Sequence, residues 1–154
     1  MKKITRTIEI KAPVQRVYDF LTQAENLPSI WPNMVSVSNV TAASNGSHDF
    51  DWVYKMAGIH FKGHAETQEA ISGKLLRMRN QAGIPSTFRW MFEGLNGGAT
   101  RLTVAIEYEI PGAIFGKIAE ALLVKLNERD CDTLLANLKD AMEHGVTTGV
   151  PAHP

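Results

Sequence analysis

Apolar and polar residues alternate through the first ten positions. Ile4, Ile8 and Ile10 share one side of an extended segment, while Thr5, Thr7, Glu9 and Lys11 take the other. That period of two predicts a half-buried strand. At Pro13 the period changes. Val14, Val17, Tyr18 and Leu21 follow at helical spacing, and proline suits the first turn of a helix. The segment Asn26-Leu-Pro-Ser-Ile-Trp-Pro32 is too rich in proline for more than one helical turn, so it reads as a compact connector that places Ile30 and Trp31.

From Asn33 to Ile110 the period of two returns, punctuated by turn chemistry at Asn45-Gly46, Ala57-Gly58, Ser72-Gly73, Gly83-Ile-Pro85 and Asn96-Gly-Gly98. Six more strands are expected, over 34–44, 48–56, 59–71, 74–82, 86–95 and 99–110. After Pro111-Gly112 the spacing is helical again to about His144. Two apolar stripes occur there: Phe115, Ile118, Leu122 and Leu126, and then Cys131, Leu134, Leu135, Leu138 and Met142. One straight helix on one sheet face needs only one stripe. The pattern therefore predicts either a break around Val124–Asp130 or a first half that is apolar all round because something else covers it; the first is favoured, as a short leading helix and a long one from about Leu123 to Glu143. Extending the later stripe backwards puts Asn127 either on the inward side or, on an uninterrupted helix, in solvent. A run of antiparallel strands with helices at its ends is the order of an α+β fold with one sheet face covered.

The phase of the large side chains carries the functional information. Phe50, Trp52, Tyr54 and Met56 fall on one side of their strand, as do Ile59, Phe61, Gly63 and Ala65, then Phe88, Trp90 and Phe92, then Leu102, Val104, Ile106 and Tyr108. Of six Phe, three Trp and three Tyr in the 154 residues, eight lie on this face, so it is either plain core or the wall of a cavity. Trp52, Tyr54, Trp90 and Tyr108 have polar tips that seek partners when buried, and Glu69 and Asn80 fall on the same side near strand ends.

Composition narrows the function classes. Hydrophobic residues at 44% and charged residues at 21% suit one globular domain over 1–144, with 145–154 as a flexible Gly- and Pro-containing tail. Sixteen Lys and Arg balance sixteen Asp and Glu, which provides no electrostatic warrant for nucleic acid or an anionic membrane. The start carries no apolar signal segment, and no run is long enough to span a bilayer, so a cytoplasmic protein without stable membrane insertion is expected. The lone Cys131 excludes an intrachain disulfide and a Cys-based zinc motif, and it reads as a small core residue. His60 and His64 lie ~13 Å apart if the segment is a strand, so no metal site is expected. No nucleotide-binding or nucleophile-elbow motif occurs, and no cofactor is expected. The pairs Asp49/Asp51 and Glu107/Glu109 lie opposite the aromatics, with Arg77, Arg79, Arg89 and Arg101 as cross-strand neighbours.

Several segments carry a family likeness. The run Ile8-Glu-Ile-Lys-Ala-Pro13, then Val17-Tyr-Asp-Phe20 and the Asn26–Pro32 connector, resembles the START-like, or SRPBCC, superfamily. The run Trp90-Met-Phe-Glu-Gly-Leu-Asn-Gly-Gly-Ala-Thr-Arg101, then Glu107-Tyr-Glu-Ile-Pro-Gly112 and the closing helix, is similar to its polyketide cyclase/dehydrase-like branch. The likeness spans about residues 3–144. It implies a helix-grip fold, in which a curved seven-stranded antiparallel sheet wraps a long C-terminal helix, with two short helices after the first strand, around a hydrophobic cavity. Members of such a family bind lipids, sterols, quinones or plant metabolites; some cyclise or dehydrate polyketides, and others are partner-binding modules.

The expectation is then a binder of a small hydrophobic molecule of lipid, quinone or polyketide-like character. Its walls are expected to be Trp31, Phe50, Trp52, Tyr54, Phe61, Met78, Phe88, Trp90 and Tyr108, with Leu122, Leu126 and Leu134 as helical cover and Asn127 as a polar contact. The alternatives are an enzyme in which Tyr54, Tyr108 or Glu69 moves a proton, and an interaction module with an apolar patch around Ile114 to Leu126.

Overall fold

The computed structural model describes residues 1–116 and 119–145. Strand β1 (Lys2–Ile10) leads into α1 (Val14–Thr22), a turn of 3₁₀ helix (Ala24–Asn26) and the single-turn α2 (Leu27–Ile30). A meander follows: β2 (Met34–Ala42), β3 (His48–Met56), β4 (Ile59–Ile71), β5 (Leu75–Gln81), β6 (Ser86–Leu95) and β7 (Ala99–Tyr108). Then come α3 (Gly112–Phe115) and the 25-residue α4 (Glu120–His144). The strands form one curved antiparallel sheet in the order β1-β7-β6-β5-β4-β3-β2, so β1 closes onto the last strand of the meander. The helix-grip architecture implied by the family likeness is the one observed.

The turns form where local chemistry dictates. Ala57 and Gly58 both sit at positive φ (49° and 82°), the geometry of a tight two-residue hairpin between β3 and β4. Gly63 has a different reason for being glycine. It pairs with Trp52, and the indole lies flat over it; a Cβ there would stand 2.1 Å from Cζ2 of Trp52.

The core lies between the inner sheet face and the helices. Leu123, Leu134, Leu138 and Met142 of α4 are buried against this face, as are Leu102 and Val104 of β7. Each such side chain contributes about 1.5–3 kcal/mol through burial. Helix α1 buries Val17, Tyr18 and Leu21, and Tyr18 meets Phe92 edge to face at 5.4 Å. Asn137 of α4 donates to the Ile30 carbonyl at 2.9 Å, which ties α4 to α2. The outer face carries charge ladders: Arg101 bridges Glu93 (3.0 Å) and Glu9 (3.4 Å), and Lys3 reaches Glu107 at 3.3 Å. No described helix is long and apolar enough to cross a membrane.

Three expectations need correction. Register shifts between Thr67 and Glu69, a bulge that turns the strand over. Ala70 is consequently buried, and Glu69 points outward, 43% exposed and 3.8 Å from Arg77. The interruption after β7 falls earlier than expected: Gly116 takes a φ of 74° after α3, and α4 runs unbroken through Val124–Asp130. The stripe ahead of Cys131 is not a second buried face, because Leu122 is 62% and Leu126 40% exposed. Ile118, which belongs to that stripe, and residues 146–154 of the expected tail lie outside the described residues.

Candidate functional site

The inner sheet face and α4 do not close completely on each other. Between them lies a cavity of about 120 Å³. Phe50, Trp52 and Tyr54 of β3, Met78 of β5, Phe88 and Trp90 of β6 and Tyr108 of β7 line it from the sheet, each brought there by strand alternation. Trp31 enters from the connector after α2, and Asn127, Asp130 and Leu134 face it from α4. The rings form a continuous wall. Trp31 meets Tyr54 edge-on at 5.9 Å and Phe88 at 5.3 Å, and Phe88 stacks towards Trp90 at 6.3 Å.

Three sets of hydrogen bonds tie down the polar groups nearest α4 and the β3–β5 wall. Asn127 donates to the Tyr108 hydroxyl at 3.3 Å. Trp52 Nε1 donates to Asn80 Oδ1 at 3.1 Å, and the Asn80 amide donates onward to Ser86 at 2.9 Å. The third set is the most unusual chemically. Asp130, only 7% exposed, accepts from Trp31 Nε1 at 3.0 Å, from Asn33 Nδ2 at 3.1 Å and from the Tyr54 hydroxyl. Burial raises the Asp130 pKa above the ordinary carboxylate value, and the three donors pull it back in part. The Tyr54 phenol is pushed well up, first by burial and then by the neighbouring carboxylate. Burial likewise raises the Tyr108 phenol, and it pushes the Cys131 thiol up to about 12.

The amino-acid sequence matches one family over residues 1–143: polyketide cyclase/dehydrase and lipid transport. The chain belongs to this family. Solved structures agree on the fold of this family member. TTHA0849 from Thermus thermophilus superposes with a TM-score of 0.79 at 22% identity, covering 92% of this chain and 97% of that one. The Zhui aromatase/cyclase from a Streptomyces species gives 0.71 at 12% identity, over 94% of this chain and 97% of that one. A START superfamily protein from Mycobacterium smegmatis gives 0.62 at 15% identity, over 87% and 98%. No curated protein sequence matches the chain.

Within this family member, the expected wall residues separate into two groups. Trp31, Phe50, Trp52, Tyr54, Met78, Phe88, Trp90, Tyr108, Asn127 and Leu134 are brought together around the cavity. Phe61 is buried but packs on Phe115 at 5.9 Å, away from the lining, and Leu122, Leu126 and Glu69 are turned outward. Asp130 is the residue that sequence reasoning missed. The signal was present: Asp130 lies four residues before Leu134 and three after Asn127, on the same inward stripe. A charged residue inside an amphipathic helix reads as solvated until its neighbours are known. Among the described residues, no group of three His, Cys, Asp or Glu side chains is placed to hold a metal. His64 instead pairs with Asp51 at 2.7 Å on the outer face.

Proposed function

We propose that the chain binds one compact, mainly apolar molecule in this cavity, with the polar end of the molecule at the Asp130 cluster. The single observation that carries the reading is an aromatic cavity whose wall includes one buried carboxylate held by three donors. Its size supports a small ligand. About 120 Å³ is near the ~150 Å³ of an engineered apolar cavity that admits benzene, so one ring fits and anything larger requires the wall to move. Of the lipid, quinone and polyketide-like ligands implied by the family likeness, a long-chain acid suits the site least, because no lysine or arginine lines the described wall.

Native mass spectrometry of freshly purified protein, followed by solvent extraction, tests the proposal. The expected result is a releasable small molecule, together with saturable quenching of tryptophan emission by ring-sized apolar ligands. Trp90→Ala binding such ligands as well as wild type would remove this cavity as their site.

A second reading is favoured by the Tyr54–Asp130 contact: proton transfer on a bound carbonyl compound, with Asp130 as base and Tyr54 as donor. It makes the chain a cyclase or dehydrase rather than a binder. Turnover of a polyketide-like substrate that survives Asp130→Asn and Tyr54→Phe together would refute it.

A further inference from the structure

When ionised, Asp130 is a charge with no cation beside it on the described cavity wall. Asp130 is the one acidic side chain on the described wall; neither lysine nor arginine lines it, and the groups that set the titration of Asp130 are burial and three neutral donors. The one imidazole on the wall, His48, spends Nδ1 on the Thr22 carbonyl at 2.7 Å. A buried carboxylate without a cation is costly, and the cost is recovered when a cation arrives. An ionised carboxylate accepts about four hydrogen bonds. Asn33 takes one place on Oδ1, while Trp31 and Tyr54 take those on Oδ2, so a further place remains on Oδ1. Two of these donors are aromatic. Trp31 touches Tyr54 and Phe88, so the carboxylate sits at the edge of a ring cluster whose negative π faces attract positive charge. A carboxylate or phosphate ligand meets like charge here, and a neutral ligand leaves the charge unbalanced.

We infer that the ligand is a compact organic amine, bound as its ammonium. The nitrogen lies against Asp130, and the hydrocarbon body lies among Trp31, Tyr54, Phe88 and Trp90. This rests on the binding function proposed above and gives it a ligand class.

Three ring-matched probes test it: 2-phenylethylamine, 2-phenylethanol and phenylacetate, titrated by calorimetry at neutral pH into wild type and Asp130→Asn. In wild type the amine should bind about tenfold or more tighter than the alcohol, as a charge-assisted bond to a buried carboxylate implies, and phenylacetate should be weakest. In Asp130→Asn the ratio of amine to alcohol affinity should fall to about one, whatever the absolute affinity of the alcohol. The wild-type ranking needs no variant, so a poorly folding Asp130→Asn protein does not spare the inference. An alcohol that matches or beats the amine overturns the amine class and leaves the binding function standing. A preference that persists in a folded Asp130→Asn protein also overturns it, because the selectivity then lies elsewhere. Failure of all three probes to bind overturns the ligand class and the binding function together.

Discussion

Alanine at position 63 puts a methyl group where the Trp52 indole now lies. The added carbon would stand 2.1 Å from Cζ2 and 2.6 Å from Cε2 and Cη2 of that ring. Carbon atoms rest at about 3.5–4 Å, so the ring must shift by more than about 1 Å. It is not free to do so. Trp52 is held across β3 and β4 by its pairing with Gly63, and its Nε1 donates to Asn80 at 3.1 Å. Overpacking of this kind costs about 1–3 kcal/mol, and losing the Trp52–Asn80 bond adds about 1 kcal/mol. Reduced freedom of the unfolded chain returns about 0.4–1 kcal/mol. The net expectation for Gly63→Ala is a loss of about 1–3.6 kcal/mol, or roughly 2–14 °C in Tm for a chain of this size. Urea unfolding followed by far-UV circular dichroism reads the stability, and near-UV dichroism reads the Trp52 environment. Gly94→Ala is the control, because a Cβ there meets nothing within 4 Å; it should be neutral or slightly stabilising. A Gly63→Ala protein as stable as the control, with unchanged near-UV signal, would refute the packing argument.

Leu134 is fully buried on the cavity wall, so Leu134→Ala should cost about 2–5 kcal/mol in urea unfolding. Leu122→Ser and Leu126→Ser should each stay within about 0.5 kcal/mol of wild type, since both side chains face solvent; a Leu134-sized loss at either would mean the surface is covered. Asp130 titrates above its unfolded value near 3.8, so its protonated form is favoured by folding. Wild-type stability minus Asp130→Asn stability should therefore fall as pH rises from about 4 through the raised folded pKa, then level off. The opposite slopes from the lowered Asp51 and Glu143 carboxyls cancel in that difference, and a difference that climbs with pH would contradict the assignment. With its thiol pushed up to about 12 by burial, Cys131 should resist iodoacetamide at neutral pH in the folded protein and react once the protein is unfolded; mass spectrometry counts the adduct.

Alternation and helical spacing alone placed the bounds of β3, β4 and β6 and put the aromatics on one sheet face, because a side chain's face in a strand depends only on its own segment. The family likeness supplied what periodicity lacks, the way the sheet wraps its helix. Helical spacing left Asn127 open between the inward side and solvent, and its contact with the Tyr108 hydroxyl appears only in the folded chain. Tertiary structure decided the remainder. A bulge at Thr67–Glu69 inserts one residue and reverses the face of Glu69, and no local period announces it. Leu122 and Leu126 look buried by pattern, yet burial is conferred by neighbours, and both stay exposed among the described residues. The Asp130 site needs Trp31, Asn33 and Tyr54 from segments 76 to 99 residues away in the chain. Whether an aspartate on a helix is a solvated charge or the one acidic side chain on the described wall of an aromatic cavity is fixed by what packs against it, and that is set by the fold as a whole.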